Sequence, residues 1–161
     1  MQSTDEIADE LFEATVIQPE QARKAYSLIR QAYPGVAFEQ WLAFTRRWAG
    51  LPCHCGGILA VQDGGGYVHA IFLYRVDSHL QHRTLRISDL IVGRLPGGVM
   101  DRAVLRQAER LASELGCSTL VFEPLHSRAG NMDSANLRAL EKAGYAAGSI
   151  FYLRRGDDPA A

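Results

Sequence analysis

A pair of glycines and two arginines lie at the start of an amphipathic segment in the stretch GRLPGGVMDRAVLRQAERLASELGC. The N–H groups at a helix N-terminus have no partner in the helix and attract anions, and glycines let a phosphate approach the backbone closely. Gly97 and Gly98 would form such a cradle, and Arg94 or Arg102 would add bidentate contacts to phosphate. The stretch therefore predicts a phosphate-binding site in front of a helix.

This prediction has an ordinary structural alternative. The stretch has no lysine followed by serine or threonine, as a Walker loop has, and it lacks the G-x-G-x-x-G pattern of dinucleotide-binding loops. The same sequence is also consistent with a Pro-Gly turn followed by a helix whose N-cap is Asp101. In that case the aspartate side chain would accept hydrogen bonds from the N–H groups that a phosphate would otherwise use.

A second cluster of reactive side chains is Cys53-His54-Cys55, with His79 and His82 further along the chain. Thiolate and imidazole groups are zinc ligands, and a hairpin could bring the later histidines near. However, a C-x-C spacing in an extended segment differs from the usual C-x₂₋₄-C knuckle, and no second cysteine pair exists. We therefore expect ordinary free thiols and no metal site, with a zinc-stabilised domain as the alternative.

The elements that position these residues follow from apolar periodicity and turn residues. STLVFEP is too apolar for a half-exposed edge, so we expect a buried strand, joined to HRTLRISDLIV by a helical crossover and parallel to it. The fold class is α/β, with a central mixed sheet flanked by helices. The predicted strands are residues 14–18, 56–63, 67–76, 82–92, 118–124 and 148–155. Helices are predicted at residues 19–33, 38–50 and 134–145, and a fourth helix ends before Gly116. The apolar face of the first helix consists of Ala22, Ala25, Tyr26, Ile29 and Tyr33, and that of the fourth consists of Val104, Ala108, Leu111 and Leu115.

Length and composition favour one compact domain over residues 1–161, with an acidic lead-in at 1–14 and a flexible tail at 156–161. The chain is 47% hydrophobic and 22% charged, and its formal net charge of -1 gives no general attraction to nucleic acid or an anionic membrane. An odd number of cysteines and an acidic start with no signal-peptide pattern predict a cytoplasmic protein.

The order and spacing of several short motifs resemble the GNAT acetyltransferase superfamily over roughly residues 15–154. SDLIV resembles that family's central strand, the run into AERLASELGC resembles its pyrophosphate loop and helix, and NLRALEKAGY resembles its late motif. The resemblance implies the GNAT fold. It also implies acyl transfer from acetyl-CoA or another acyl-CoA to the amine of a small molecule or peptide, by direct attack.

The resemblance also assigns residues to roles. Backbone N–H groups between Leu90 and Val92 would stabilise the oxyanion, and Asn136 would lie near coenzyme A. Asp89 or Glu123 would be the general base, although each could equally be a structural residue at a strand end. Tyr152 is a candidate proton donor to the departing thiolate.

The sequence departs from the family pattern in the pyrophosphate loop, written Q/R-x-x-G-x-G/A. Alignment from ELGC places Val99 and Asp101 at the two small-residue positions, whereas a shift by two residues fits Arg94 and Gly97 and requires an earlier helix start. Leu140 replaces the tyrosine of the late motif. The alternative function is therefore a non-catalytic GNAT-like module that binds a ligand or forms a homodimer after losing its coenzyme A site.

Overall fold

The computed structural model describes residues 11–79, 82–93, 99–122, 146–147 and 152–155. The order of strands and helices along this part of the chain follows the periodicity of the sequence. The elements are β1 (Phe12–Val16), a 3₁₀ turn (Pro19–Gln21), α1 (Ala22–Ala32), α2 (Phe38–Ala49), β2 (Gly56–Asp63), β3 (Val68–His79), β4 (His82–Val92), α3 (Val99–Glu114), β5 (Thr119–Phe122), β6 (Ala146–Ala147) and β7 (Tyr152–Arg155).

The described strands form one mixed sheet in the order β1-β2-β3-β4-β5-β7-β6. β4 and β5 are parallel, and every other neighbouring pair is antiparallel. The parallel pair is joined through α3, which confirms the predicted crossover. Within this connection, α3 is followed by Gly116, which has a left-handed backbone conformation (φ 65°). The Cys117 N–H donates to Ala112 O at 2.8 Å. This 6→1 bond is typical of a helix that ends at a glycine.

Both faces of the sheet are buried, since α1 and α2 cover one face and α3 covers the other. Alternate residues of β2 and β3 contribute to the two cores, so these strands are nearly all apolar. The indole N–H of Trp41 donates to Ala22 O at 2.8 Å and ties α2 to α1. The core against α3 includes Phe12, Leu59, Val61, Phe72, Tyr74, Leu85, Ile87, Val104 and Phe122, and the core against α1 and α2 includes Ile17, Ala25, Leu28, Ile29, Trp41, Ile58, Ile71 and Leu73.

The structure differs from the prediction in a few details. β1 begins at Phe12, two residues early, because that side chain packs into the core at 8% exposure. The first predicted helix starts as a 3₁₀ turn, in which the Gln21 N–H donates to Gln18 O at 2.8 Å. Tyr33, assigned to the apolar face of α1, is 41% exposed, whereas Leu28 is buried there. The predicted helix at 134–145 lies outside the described residues.

Candidate functional site

β4 carries a bulge at Asp89. From the register of its neighbours, Phe72 of β3 faces two residues of β4, Asp89 and Leu90. Asp89 has φ 49°, in the left-handed region that aspartate tolerates better than most residues. A bulge leaves its extra residue unpaired and bends the strand, and the Asp89 side chain is exposed.

Side-chain packing confirms that the strand slips by one residue at this point. Leu85 and Ile87 pack against the α3 core, as odd-numbered residues of a regular strand would. Beyond the bulge, Leu90 and Val92 pack on this same face although their numbers are even. Asp89 is therefore the residue that the alternation skips, which explains why a carboxylate can lie on a strand buried on both faces.

The bulge lies just beyond the described pairing of β4 with its parallel neighbour. β5 pairs with β4 only from Thr84 to Ile87, and its described part ends at Phe122. Within the described residues, β4 continues to Val92 with no strand partner on the β5 side. The segment from Leu90 to Val92, predicted to hold the oxyanion, thus lies beyond the part of β4 that is described as paired with β5.

Tyr33 directly follows α1, and its phenol interacts electrostatically with Asp89. Burial raises the pKa of the Tyr33 phenol above its usual value, and the negative charge of Asp89 raises it further. Like any tyrosine phenol, it is protonated at neutral pH and can donate a hydrogen bond. The Val36 N–H donates to Tyr33 O at 3.0 Å, so a tight turn fixes this residue after the helix. Sequence analysis missed Tyr33 as a site residue; its place directly before Pro34-Gly35 was the available signal.

Gly93 fixes the direction in which the chain leaves β4. Its N–H donates to His69 O at 2.7 Å, and a Cβ here would lie 2.9 Å from that oxygen and 3.6 Å from Leu28 Cδ1. His69 is itself held by Asp63, with 2.8 Å between Nε2 and Oδ2. That hydrogen bond is the main reason why the pKa of Asp63 is lowered. Gly93 is thus required because its backbone lies too close to the His69 carbonyl oxygen to leave room for a side chain.

α3 follows the predicted cradle. The chain is helical from Val99, so Asp101 lies inside the first turn of α3, and the alternative in which it is the N-cap residue is wrong. An acidic residue in a first turn is still favoured by the helix dipole. Arg102 follows on the same helix and is partly buried. The helix start agrees with the alignment that places Arg94 and Gly97 in the loop pattern.

The remaining predicted residues are placed only in part. Tyr152 pairs with Phe122, which in turn pairs with Ile87, so the three residues form one row across the sheet. Two strand spacings of about 4.8 Å separate the backbone of Tyr152 from β4. The predicted residues that lie outside the described part of the chain are Arg94, Gly97, Gly98, Glu123 and Asn136.

The cysteine cluster forms a turn and not the extended segment that sequence analysis assumed. The Cys55 N–H donates to Pro52 O at 2.8 Å, and Cys53 O accepts from the Tyr74 hydroxyl at 2.9 Å. Cys53 and Cys55 are exposed free thiols. Across the described residues, no group of three or more histidine, cysteine or acidic side chains is arranged to hold a metal ion.

No helix in the described part of the structure is long and apolar enough to cross a membrane. In sequence, the chain matches no protein-family model and no curated protein.

Solved structures do match. A GNAT-family acetyltransferase from Streptococcus pneumoniae is 12% identical, with TM-score 0.62 and coverage of 90% of this chain and 99% of that one. The ribosomal-protein-S5-alanine acetyltransferase from Vibrio fischeri is 12% identical, with TM-score 0.67 and coverage of 94% and 97%. An aminoglycoside N-acetyltransferase in complex with coenzyme A is 10% identical, with TM-score 0.63 and coverage of 91% and 95%. The chain has the GNAT fold, as the motif order predicted.

Proposed function

We propose that the protein is an acyl-CoA-dependent N-acyltransferase that transfers an acetyl group to a primary amine by direct attack. The observation that carries this proposal is the bulge at Asp89. It puts an exposed carboxylate on β4 just beyond the described pairing with β5. In sequence, a glycine-containing segment then precedes the N-terminus of α3. N-acetyltransferases are among the structural neighbours, which supports the same function.

The coenzyme side of the site fits the residues present. The chain leaves β4 at Gly93, directly before the glycine-containing segment, and the close approach of Gly93 to His69 O fixes where the chain turns away from the sheet. The loop glycines, Gly97 and Gly98, and the dipole of α3 would hold a pyrophosphate, with bidentate contacts from Arg94 or Arg102. Asn136 would contact the coenzyme from the late motif. Bound acyl-CoA would supply a thioester carbon, to which the amine nitrogen bonds as the carbon–sulfur bond breaks.

The chain's own residues would handle the protons and the charge. Backbone N–H groups from Leu90 to Val92 would stabilise the oxyanion, because donors fixed in place need no reorganisation during the reaction. The Asp89 carboxylate would accept the proton of the attacking amine, with Glu123 as the second candidate. Tyr33 would donate to Asp89 or to the acceptor, and Tyr152 would protonate the thiolate.

The second candidate function is a non-catalytic GNAT-like module that binds a ligand or forms a homodimer after losing its coenzyme A site. It is favoured by sequence departures: Val99 and Asp101 at the start of α3, and Leu140 in the late motif. The family pattern has small residues at these two positions of the loop, and a negative charge there would oppose a pyrophosphate. This candidate predicts that the folded chain does not bind coenzyme A.

Thermal unfolding with acetyl-CoA separates the two candidates. A ligand present at about a hundred times its Kd stabilises the folded state by about 2.7 kcal/mol, which corresponds to a rise in Tm of about 5–10 °C for this size of chain. Arg102→Gln should reduce the rise, whereas Arg110→Gln should not, because Arg110 is exposed at the far end of α3 beside Glu114. No change in Tm at millimolar coenzyme would support the module.

A further inference from the structure

The outer face of α1 carries a groove that the proposed reaction does not use. Its volume is about 430 Å³, and all of its described lining residues are polar side chains of α1. They recur at helical spacing, so they form one stripe along the helix. We call this the α1 groove, and its lining residues are Arg23, Tyr26, Ser27, Arg30 and Gln31.

The charge of the α1 groove is positive. Two guanidinium groups line it and no described carboxylate does, and neither Arg23 nor Arg30 forms an ion pair with an acidic side chain that the structure describes. A guanidinium presents N–H donors in a planar fork that matches the two oxygens of a carboxylate or phosphate. The groove therefore fits an anion with several oxygen atoms.

The walls of the groove are held in place. The Arg23 guanidinium lies over the Phe38 ring, 5.0 Å from its centre, and the Tyr26 ring contacts Phe38 edge to face at 5.3 Å. The Tyr26 hydroxyl donates to Val36 O at 2.8 Å, which fixes the phenol. Ser27 adds a hydroxyl donor at the middle of the stripe. Side chains positioned in advance lose less entropy when a ligand binds.

The stripe points toward the candidate active site. Tyr33 is three residues beyond Arg30, which is about 4.5 Å further along the helix axis. It follows Tyr26 by seven residues, so it continues that side of the groove. The Asp89 charge acts on the Tyr33 phenol, so these two side chains are within electrostatic range of each other.

We propose that the α1 groove binds a carboxylate or phosphate group of the acceptor, so that the substrate is an amine that also carries an anion. The link to the acceptor rests on the proposed function; the anion site itself does not. The positive groove would orient the substrate with its amine at Asp89, and it would discriminate against amines that lack an anionic group.

The first test measures binding directly. Inorganic phosphate and glutarate are titrated separately while amide resonances of α1 are followed by NMR, so the two anion classes are distinguished. We expect saturable shifts in α1 for at least one probe, weakened at least fivefold in Arg23→Gln and Arg30→Gln. The control variants Arg46→Gln and Arg47→Gln alter exposed arginines of α2 and should bind normally. Absence of saturable α1 shifts at tens of millimolar, or equal weakening in the controls, would overturn the anion site.

The second test concerns the acceptor. Acetyl transfer is compared within matched pairs, an amino acid against its methyl ester and an amino alcohol phosphate against the free amino alcohol. We expect the anionic member to have at least fivefold higher kcat/KM, and Arg30→Gln to abolish that preference. Transfer without any preference overturns the inference and leaves the proposed function intact. Anion binding at α1 with no transfer to any amine overturns the link to an acceptor, and with it the proposed function.

Discussion

Asp89 combines a strained backbone with a reactive carboxylate, and three substitutions separate the two. Asp89→Asn keeps a side chain that tolerates the left-handed region and removes the charge. Asp89→Gly removes both the charge and the strain, and Asp89→Ala removes the charge but leaves a β-carbon at φ 49°. The bulge predicts different stabilities for the three variants, whereas the proposed general base predicts the same loss of activity in all of them.

The magnitudes follow from the backbone. A left-handed conformation costs an ordinary L-residue about 1–2 kcal/mol, and asparagine and aspartate can offset part of this through local hydrogen bonds. Asp89→Ala should therefore lower the free energy of unfolding by about 1 kcal/mol relative to Asp89→Asn, while Asp89→Gly should be at least as stable as Asp89→Asn. Loss of a general base typically reduces turnover by about 10²–10⁴-fold.

The assays are urea unfolding of the four proteins and turnover at saturating acetyl-CoA. Titration of the Tyr33 ring carbons by NMR adds a third measurement, since loss of the Asp89 charge should lower the raised pKa of this phenol. Equal stability of the alanine and glycine variants would refute the strained bulge. Unchanged turnover in Asp89→Asn would remove Asp89 from the mechanism and leave Glu123 as the base.

Three further predictions concern stability and metal content. The pKa of the buried Tyr74 phenol is raised to about 12 from 10.0, mainly by burial. The protonated phenol therefore contributes fully to the free energy of unfolding below pH 10, and this contribution is lost as pH rises toward 12. Wild type should lose up to about 2–3 kcal/mol relative to Tyr74→Phe over that interval, measured by urea unfolding; a constant difference would contradict this. Gly93→Ala should cost about 1–3 kcal/mol because its Cβ would meet a backbone oxygen at 2.9 Å, whereas Gly64→Ala, with open space around it, should be close to neutral. Elemental analysis of untagged protein should find less than about one-tenth equivalent of zinc at Cys53 and Cys55, and a full equivalent would revive the zinc-stabilised alternative.

Much of the fold follows from the pattern of residue types. The bounds of β2 and β4 agree with the prediction. β2 is apolar enough to be buried on both faces and is separated from β3 by glycines, whereas β4 is for the most part only partly buried. The parallel pairing of β5 with β4 was predicted from the apolar character of STLVFEP and the amphipathic segment before it. The apolar run and the amphipathic segment are both local features of the sequence, and the structure buries the residues that produce them.

The geometry of the site was less predictable. In LRISDLIV the apolar residues stop alternating at Ser88 and Asp89, yet this break does not say which residue leaves the strand. Backbone dihedral angles decide that, and aspartate can adopt either region. Tyr33 was assigned to the core because periodicity continues to the end of a helix regardless of whether anything covers the last turn. Its proximity to Asp89 depends on how α1 packs on the sheet.

The slip at Asp89 also bears on how this strand can change by insertion and deletion. Deleting that one residue would restore strict alternation, with Leu85, Ile87, Leu90 and Val92 all on their present face. The core would be kept while the carboxylate and the bend were lost together. We therefore expect that, among relatives of this chain, a one-residue gap in β4 marks proteins that retain the fold but have lost this site, a difference that substitutions alone would not reveal.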